Sequence, residues 1–511
     1  MKLVECVPNF SEGRDRATID AITREISAVA GAKLLDVDPG AATHRTVVTF
    51  VGPPDAVLEA AFRAIRRAAE LIDMGRHHGE HPRMGATDVC PFVPMQGATM
   101  EDCVELARRL GHRVGSELGI PVYLYGEAAS RPERRRLPDI RQGEYEALPQ
   151  KLQSAEFAPD YGPAAFNARS GATAIGAREF LIAWNVNLNT RDRKLAEKIA
   201  AALRETGRPR RDASGAIVRD ALGQAQREPG RFRELQGGGW YIAEYARAQL
   251  TFNLMNHKVT SLHAVFDAAR EEAARLGLRV TGSELVGLVP LEAILAAGDH
   301  YLTRQGRTIG VPDAERVHTA ILSLGLADLA PFDPQEKIIE YKYRGRPAGL
   351  SAQTLTAFAD ELSTDSPAPG GGSAAALCGA LAAALASMVA ALTWSKPRGE
   401  NSRAGLQPLG VRAQRLKDEF LDAVERDAAS FDAVLAARRL PKATEAERQE
   451  RAAAVERATQ LATRVPLGVL ERAVEALRLA VEVARAGNPS SVSDAGVAAA
   501  CALAAAEGAA L

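Results

Sequence analysis

Apolar positions along the chain follow two regimes. Up to about residue 326, short runs rich in branched and aromatic residues alternate with stretches of helical period; beyond residue 351 only the helical period remains. Leu34-Leu35-Asp36-Val37, Thr46-Val47-Val48-Thr49-Phe50-Val51 and Pro121-Val122-Tyr123-Leu124-Tyr125 predict strands. Pro53-Pro54-Asp55 opens a helix on which Leu58, Ala61, Ile65, Ala68 and Ile72 share a face, and residues 100–118 give another. A second α/β unit starts at Phe180-Leu181-Ile182-Ala183-Trp184-Asn185-Val186-Asn187 and continues with a helix over 194–204. Its middle, 207–235, is basic, rich in Gly and Pro and without clear period, which predicts a surface excursion. Ala330-Pro331-Phe332-Asp333-Pro334 then punctuates the chain. In residues 374–392, Leu377, Leu381, Leu385, Met388 and Leu392 recur at helical spacing, which predicts the packed face of a bundle helix rather than a membrane span. Thr444 and Glu447 hold the spacing of a capping box, and Asn488-Pro489 breaks the next helix pair. The expectation is a multidomain chain: α/β subdomains over 1–178 and 179–329, a linker over 330–347, and an all-α domain over 348–511. The Ala-rich helical pattern still runs at Leu511 with no cap, Gly or Pro, so the helical domain is expected to be incomplete there.

Composition narrows the function. A length of 511 residues asks for several cores. Lys plus Arg is 63 against 64 Asp plus Glu, a net charge of −1, so no whole-chain basic field draws in nucleic acid or anionic lipid. Small-molecule substrates, with no nucleic-acid or membrane partner, are the expectation. Cys6, Cys90, Cys103, Cys378 and Cys501 lie far apart with no C-x-x-C spacing, which opposes a disulfide framework and a thiolate zinc site and fits a reducing cytoplasm. The opening Met1-Lys2-Leu3-Val4-Glu5-Cys6-Val7 is too short and too charged for a secretory hydrophobic region.

Three features carry candidate chemistry. Arg76-His77-His78-Gly79-Glu80-His81-Pro82-Arg83-Met84-Gly85 is the densest polar cluster, with Asp88 and Cys90 close behind. Gly79 and Pro82 break any helical face for metal ligands, so no metal is expected. His81 in such a loop suits an acid/base imidazole, with the alternative that it only ties the loop down. Ser366-Pro367-Ala368-Pro369-Gly370-Gly371-Gly372-Ser373 precedes the Ala-rich helix; it is either an anion-binding helix N-terminus or a plain tight turn. On a helix through 415–435, Phe420, Val424, Phe431 and Leu435 form one stripe and Asp427 falls inside it. A carboxylate there is functional or structurally paired.

Long motifs now resemble a known family. Val4-Glu5-Cys6-Val7-Pro8-Asn9-Phe10-Ser11-Glu12-Gly13, Gly79-Glu80-His81-Pro82-Arg83-Met84-Gly85, Val122-Tyr123-Leu124-Tyr125-Gly126-Glu127 and Leu285-Val286-Gly287-Leu288-Val289-Pro290 are similar to those of the formimidoyltransferase-cyclodeaminase family. The 367–373 turn and Leu440-Pro441-Lys442 match its cyclodeaminase part. The resemblance implies two α/β transferase subdomains, sandwich-like, followed by an all-α cyclodeaminase domain. It implies transfer of the formimidoyl group of N-formimidoyl-L-glutamate to N5 of tetrahydrofolate, then closure to 5,10-methenyltetrahydrofolate with loss of ammonia, at the end of histidine degradation. Tetrahydrofolate would be the co-substrate, polyglutamylated, and the assembly a homo-oligomer. By the family pattern His81 and Asp427 are the catalytic residues of the two reactions. Gly162-Pro163-Ala164-Ala165-Phe166-Asn167-Ala168-Arg169-Ser170-Gly171 matches its folate-binding segment. The anionic folate tail would give Gly370, Gly371, Gly372, Ser373 and Lys442 a binding role. His44 stands where the pattern has asparagine, and Glu284 where it has glutamine. The alternatives are a glutamate formyltransferase using 5-formyltetrahydrofolate and a non-catalytic folate-binding scaffold.

Overall fold

The computed structural model describes residues 2–511 apart from 42, 80, 221–222, 346–348 and 396–399, so Glu80 and the end of the expected linker lie outside the described residues. The chain divides into two compact units, Met1–Ala293 with Gly325–Arg344, and Ile294–Leu324 with Gly345–Leu511.

In the first unit, strands β1 (Val4–Cys6) and β2 (Asn9–Phe10) act as one interrupted central strand. They lie between β4 (Arg45–Gly52), itself paired with β3 (Lys33–Gly40), and β5 (Thr87–Pro94). Beyond β5 come β7 (Thr173–Ala177) and β6 (Val122–Gly126), both parallel to their neighbours, whereas the remaining pairs are antiparallel. Helices α1 (Arg16–Ser27), α2 (Pro54–Leu71) and α3 (Met100–Leu118) cover one face. Ile22 and Ile26, Phe62 and Ile65, and Leu106 and Leu110 pack there against Val4, Cys6, Phe50 and Phe92. Each such buried side chain contributes about 1.5–3 kcal/mol. On α3 a reciprocal Thr99–Asp102 capping box starts the helix and Gly119, at φ 63°, ends it, so the observed bounds coincide with the predicted 100–118. The opposite face is part covered by α4 (Leu137–Arg141) and α5 (Glu144–Lys151), whose Ile140 and Leu148 pack on Met84, Val89, Tyr123 and Tyr125.

The second sheet begins with β8 (Ile182–Leu188), followed by α6 (Arg193–Leu203) and the short pair β9 (Arg208–Pro209) and β10 (Arg227–Glu228). Strands β11 (Leu235–Ile242) and β12 (Arg247–Leu254), α7 (Leu262–Arg275) and β13 (Val280–Val286) complete it, in the antiparallel order β11-β12-β8-β13. The excursion at 207–235 is held by turns rather than by a core. Asp212 accepts from the N–H groups of Ser214 and Ala216 while Arg211 reaches the Gly215 carbonyl at 2.6 Å. Eight residues later Asp220 accepts from Gln224 N–H and Arg219 reaches the Gly223 carbonyl at 2.7 Å. Polar turn closure of this kind leaves no hydrophobic period to read. After α8 (Leu291–Arg304) and α9 (Asp313–Leu324), helices α10 (Pro334–Lys337) and α11 (Ile339–Arg344) occupy much of the expected linker. Ile339 is fully buried in a cluster with Leu3, Leu35, Val51 and Leu288.

The second unit is helical, with α12 (Leu355–Leu362), α13 (Gly371–Ser395), α14 (Glu400–Arg438), α15 (Glu445–Ala486) and α16 (Val492–Ala510). The Thr444–Glu447 capping box opens α15. The packed face of α13 corrects the expectation. Ala376, Ala380, Ala383, Ala386 and Val389 are buried, whereas Leu381, Met388 and Leu392 are 38–48% exposed. Small residues let the helices approach closely: a Cβ on Gly379 would collide with the Phe420 ring of α14. Phe431, placed on the inward stripe by its spacing, is 43% exposed, because the buried face of α14 turns to Ser430, Val434 and Ala437. α13 has the length and hydropathy of a membrane span, yet its buried Ser387 hydroxyl donates to Gly310 O at 3.2 Å and accepts from Gln414 at 2.8 Å within the bundle.

The same substitution should change stability in opposite directions at two helical glycines. Gly379→Ala should destabilise the bundle by about 1–3 kcal/mol through overpacking. Gly496→Ala, with open space around Gly496 on α16, should stabilise it by about 0.5–1 kcal/mol. Urea unfolding followed by helical circular dichroism checks the signs.

Candidate active sites

The His81 loop leads directly into β5. Its Nδ1 lies 2.7 Å from the Pro82 carbonyl oxygen. A carbonyl only accepts, so Nδ1 carries the proton and Nε2 presents a lone pair. Burial, then the Arg45 guanidinium, and also Arg141 hold the imidazole below its ordinary pKa, against the Pro82 carbonyl and Asp88. The ring is therefore predominantly neutral at pH 7.

Asp88 organises these groups. It is fully buried on β5 and accepts from Arg45 on β4, from Arg141 at the end of α4, and from the Met84 N–H at 2.9 Å. Burial alone would raise its carboxyl; the two guanidiniums outweigh that and hold it below the ordinary carboxylate range. Two cations share one anion beside His81, a surplus that suits an anionic substrate. Arg45 also donates through Nε to Asn9 Oδ1 at 3.0 Å. Asn9 in turn lines a 280 Å³ cavity between the two sheets, bordered by Asp36, Asp38, Val47, Arg178 and Phe180.

The neighbouring histidines serve as scaffold. Arg83 donates to Glu144 at 3.0 Å and to Glu146 at 2.7 Å, and its Nε points at His77 Nδ1 at 3.3 Å. His77 then donates through Nε2 to the His44 carbonyl at 2.8 Å. The two rings stack at 4.2 Å. His44 Nδ1 donates to the His78 carbonyl at 2.9 Å, and Nε2 faces Glu12 at 3.2 Å. Both nitrogens of each ring are thus engaged in holding the loop. His44 has φ 50°, a left-handed conformation in which histidine and asparagine are both enriched, so the departure from the family pattern is conformationally compatible. Glu284 stands apart on β13, 3.5 Å from Gln249 Nε2.

The segment from Gly162 to Gly171 forms a largely exposed loop before β7. Gly162 and Gly171 both take positive φ, and the loop returns beside the His81 loop: Ala86 N–H donates to Ser170 O and Ala172 N–H to Met84 O. Asn167 closes the return by accepting from Ser170 N–H at 2.9 Å. Phe166, 37% exposed, lies against Tyr145 at 5.4 Å, and the Tyr145 hydroxyl donates to Ala168 O at 2.6 Å. Pro163, Ala164 and Ala165 are exposed, and Arg169 donates to the Glu70 carbonyl at 2.5 Å.

In the helical unit, Asp427 faces the start of α13. Ser373 Oγ donates to Asp427 Oδ2 at 2.8 Å, and a Cβ at Gly372 would strike the carboxylate. Glycine is required there for the close approach. Ser373 is buried and committed to this bond, whereas Gly370 and Gly371 have open space around them at the N-terminus of α13. Lys442 is exposed in the loop between α14 and α15 and makes no hydrogen bond to that turn among the described residues.

Sequence reasoning singled out His81 and Asp427 but missed Arg45, Arg141 and Ser373 as their partners. The available signal was Asp88, a lone acid in an apolar strand that demands cations.

Comparison with known proteins identifies the family. Family profiles described as "Formiminotransferase domain, N-terminal subdomain", "Formiminotransferase domain" and "Formiminotransferase-cyclodeaminase" match residues 3–178, 183–344 and 354–511. The formimidoyltransferase-cyclodeaminase of Mus musculus is 46% identical over 98% of this chain and 89% of its own length. The glutamate formimidoyltransferase of Thermoplasma acidophilum is 44% identical over 60% of this chain and 94% of its own. The methenyltetrahydrofolate cyclohydrolase of Methylorubrum extorquens is 40% identical over 29% of this chain and 70% of its own. With the His81 loop in the first unit and the Asp427 turn in the second, the chain belongs to the formimidoyltransferase-cyclodeaminase family.

Proposed function

We infer that this protein is a bifunctional folate enzyme of histidine degradation. It transfers the formimidoyl group of N-formimidoyl-L-glutamate to tetrahydrofolate and cyclises the product to 5,10-methenyltetrahydrofolate with release of ammonia. The observation that carries the transferase assignment is the His81 imidazole, neutral at pH 7, protonated at Nδ1 and open at Nε2.

In transfer, N5 of tetrahydrofolate attacks the amidine carbon. His81 Nε2 takes the N5 proton and returns it to the glutamate nitrogen, so the C–N bond to glutamate breaks as the C–N5 bond persists. The Arg45 and Arg141 guanidiniums favour the donor's carboxylates electrostatically. The folate lies along the 162–171 loop in this reading, supported by that loop's return beside residues 84–86. In cyclisation, N10 attacks the same carbon; the Asp427 carboxylate takes the N10 proton and passes it to the amino group, which departs as ammonia as its C–N bond breaks. Ser373, bonded to Oδ2, orients that carboxyl.

The finer readings belong to the same proposal. A polyglutamyl tail would meet the open N-terminus of α13 at Gly370 and Gly371, with the exposed Lys442 as a cation for it. The exposed Leu381, Met388 and Leu392 support a homo-oligomer with α13 in an interface. Five free cysteines support a reducing cytoplasmic setting.

His81→Ala should lower transfer by about 10²-fold or more while leaving cyclisation of supplied 5-formimidoyltetrahydrofolate intact. Asp427→Asn should do the reverse, so the 5-formimidoyl intermediate accumulates; methenyl absorbance and ammonia release read the two steps separately. Because His81 is held below its ordinary pKa, the acid limb of transfer kcat/KM should have its midpoint below about pH 6.5, where the imidazole takes up a second proton. Sedimentation should give a species larger than one chain, and a Leu381→Glu, Met388→Glu double variant should shift it toward the monomer.

A further inference from the structure

Strand β1 carries one carboxylate among apolar neighbours. Val4 and Cys6 point into the helix-covered core, so Glu5 points to the opposite face of the sheet. It is 1% exposed, and among the described residues its Oε2 has no hydrogen-bond partner. A buried polar atom left in this state is costly unless something arrives to pair with it. The same side chain lines the 280 Å³ cavity, facing Asp36 and Asp38 of β3 and Arg178, between walls that include Phe180 and Leu288. That volume lies near the low end for small-molecule sites and suits a flat ring better than an extended ligand. Three carboxyls against one guanidinium disfavour an anion, so the donor's two carboxylates do not belong here. Groups rich in N–H donors do.

We propose that Glu5 is the specificity-determining residue of this cavity and receives the paired N–H donors of an amidine-type edge, foremost the N3–H and 2-amino edge of the pterin of tetrahydrofolate. This assignment rests on the transferase reading above. A planar edge with two parallel N–H groups matches a carboxylate in bidentate fashion, whichever molecule presents it. The formimidoyl donor's amidinium has the same chemistry and is the second possible source of that edge.

Proton linkage follows from the surroundings. Burial pushes the Glu5 carboxyl up to about 8; Arg178 opposes the rise and Glu340 of α11 adds to it. The Cys6 and Cys103 thiols and the carboxyls of Asp36 and Asp38 are the other titratable groups around it. At pH 7 the free enzyme therefore holds a proton on Glu5. Arriving N–H donors favour the carboxylate and expel it, so affinity gains as pH rises toward 8 and is flat above.

The test uses the full-length enzyme and its Glu5→Gln and Glu5→Asp variants, with circular dichroism and thermal unfolding of each chain as the check that it is folded. The expected result for Glu5→Gln is a KM for tetrahydrofolate in transfer raised about tenfold, with the KM for N-formimidoyl-L-glutamate unmoved. Calorimetry with 5-formyltetrahydrofolate at pH 7, in buffers of different ionisation enthalpy, should show about one proton fewer released by Glu5→Gln than by the wild type. Glu5→Asp should keep the proton release with weakened binding. If only the donor's KM rises about tenfold, the edge received is the amidinium and the role of Glu5 stands. Unchanged KM values and unchanged proton release in Glu5→Gln would overturn the assignment. Absence of formimidoyl transfer by the wild type would instead overturn the transferase reading on which it rests.

Discussion

The first candidate site depends on one buried carboxylate. Asp88 takes the Arg45 and Arg141 guanidiniums and the Met84 N–H together, so a strand, a helix end and the His81 loop are fastened at a single point. Exposed ion pairs such as Arg231–Glu271, at half exposure on both partners, contribute about 0–1 kcal/mol. Breaking a buried pair by removing one partner costs about 3–5 kcal/mol, because the other charge is left uncompensated. Asp88 therefore fixes the position of the His81 loop and of the two cations beside it. Burial, reinforced by the surplus guanidinium charge, keeps the imidazole neutral, and the Met84 bond keeps its loop in place.

The helical unit solves a comparable problem by contact rather than by charge. Alanines and Gly379 bring α13 close to α14, and at the start of α13 Gly372 leaves room for the Asp427 carboxylate. Ser373, one residue on, then reaches Oδ2. A backbone approach of this kind places an acid against a helix N-terminus, with no ion pair to it among the described residues. The apolar side chains displaced outward by it, Leu381, Met388 and Leu392, become the exposed face of the same helix.

The parts that were legible in the sequence are those in which local signals agree. The branched run at 46–51 lies inside β4, and α3 begins at its capping box and ends at a left-handed glycine. The leucine spacing of α13 misled because an alanine-rich helix packs by its smallest residues, which carry little hydrophobic contrast. The order in 207–235 was invisible to periodicity because Asp and Arg turns, not a core, maintain it. His81 and Asp427 stood out as a histidine in a Gly/Pro loop and an acid on an apolar stripe. Their partners did not, since Arg45 and Arg141 reach Asp88 from 43 and 53 residues away, a pairing that only the folded sheet creates.

The central claim is that this buried network presents His81 as a neutral base with a free Nε2. Nitrogen-15 NMR of the histidine side chains, titrated across pH with His81→Gln to assign the resonance, tests it most directly. The account predicts an Nδ1–H tautomer for His81 with a pKa below the ordinary value of about 6.5. An Nε2–H tautomer, or a pKa above that value, would contradict it.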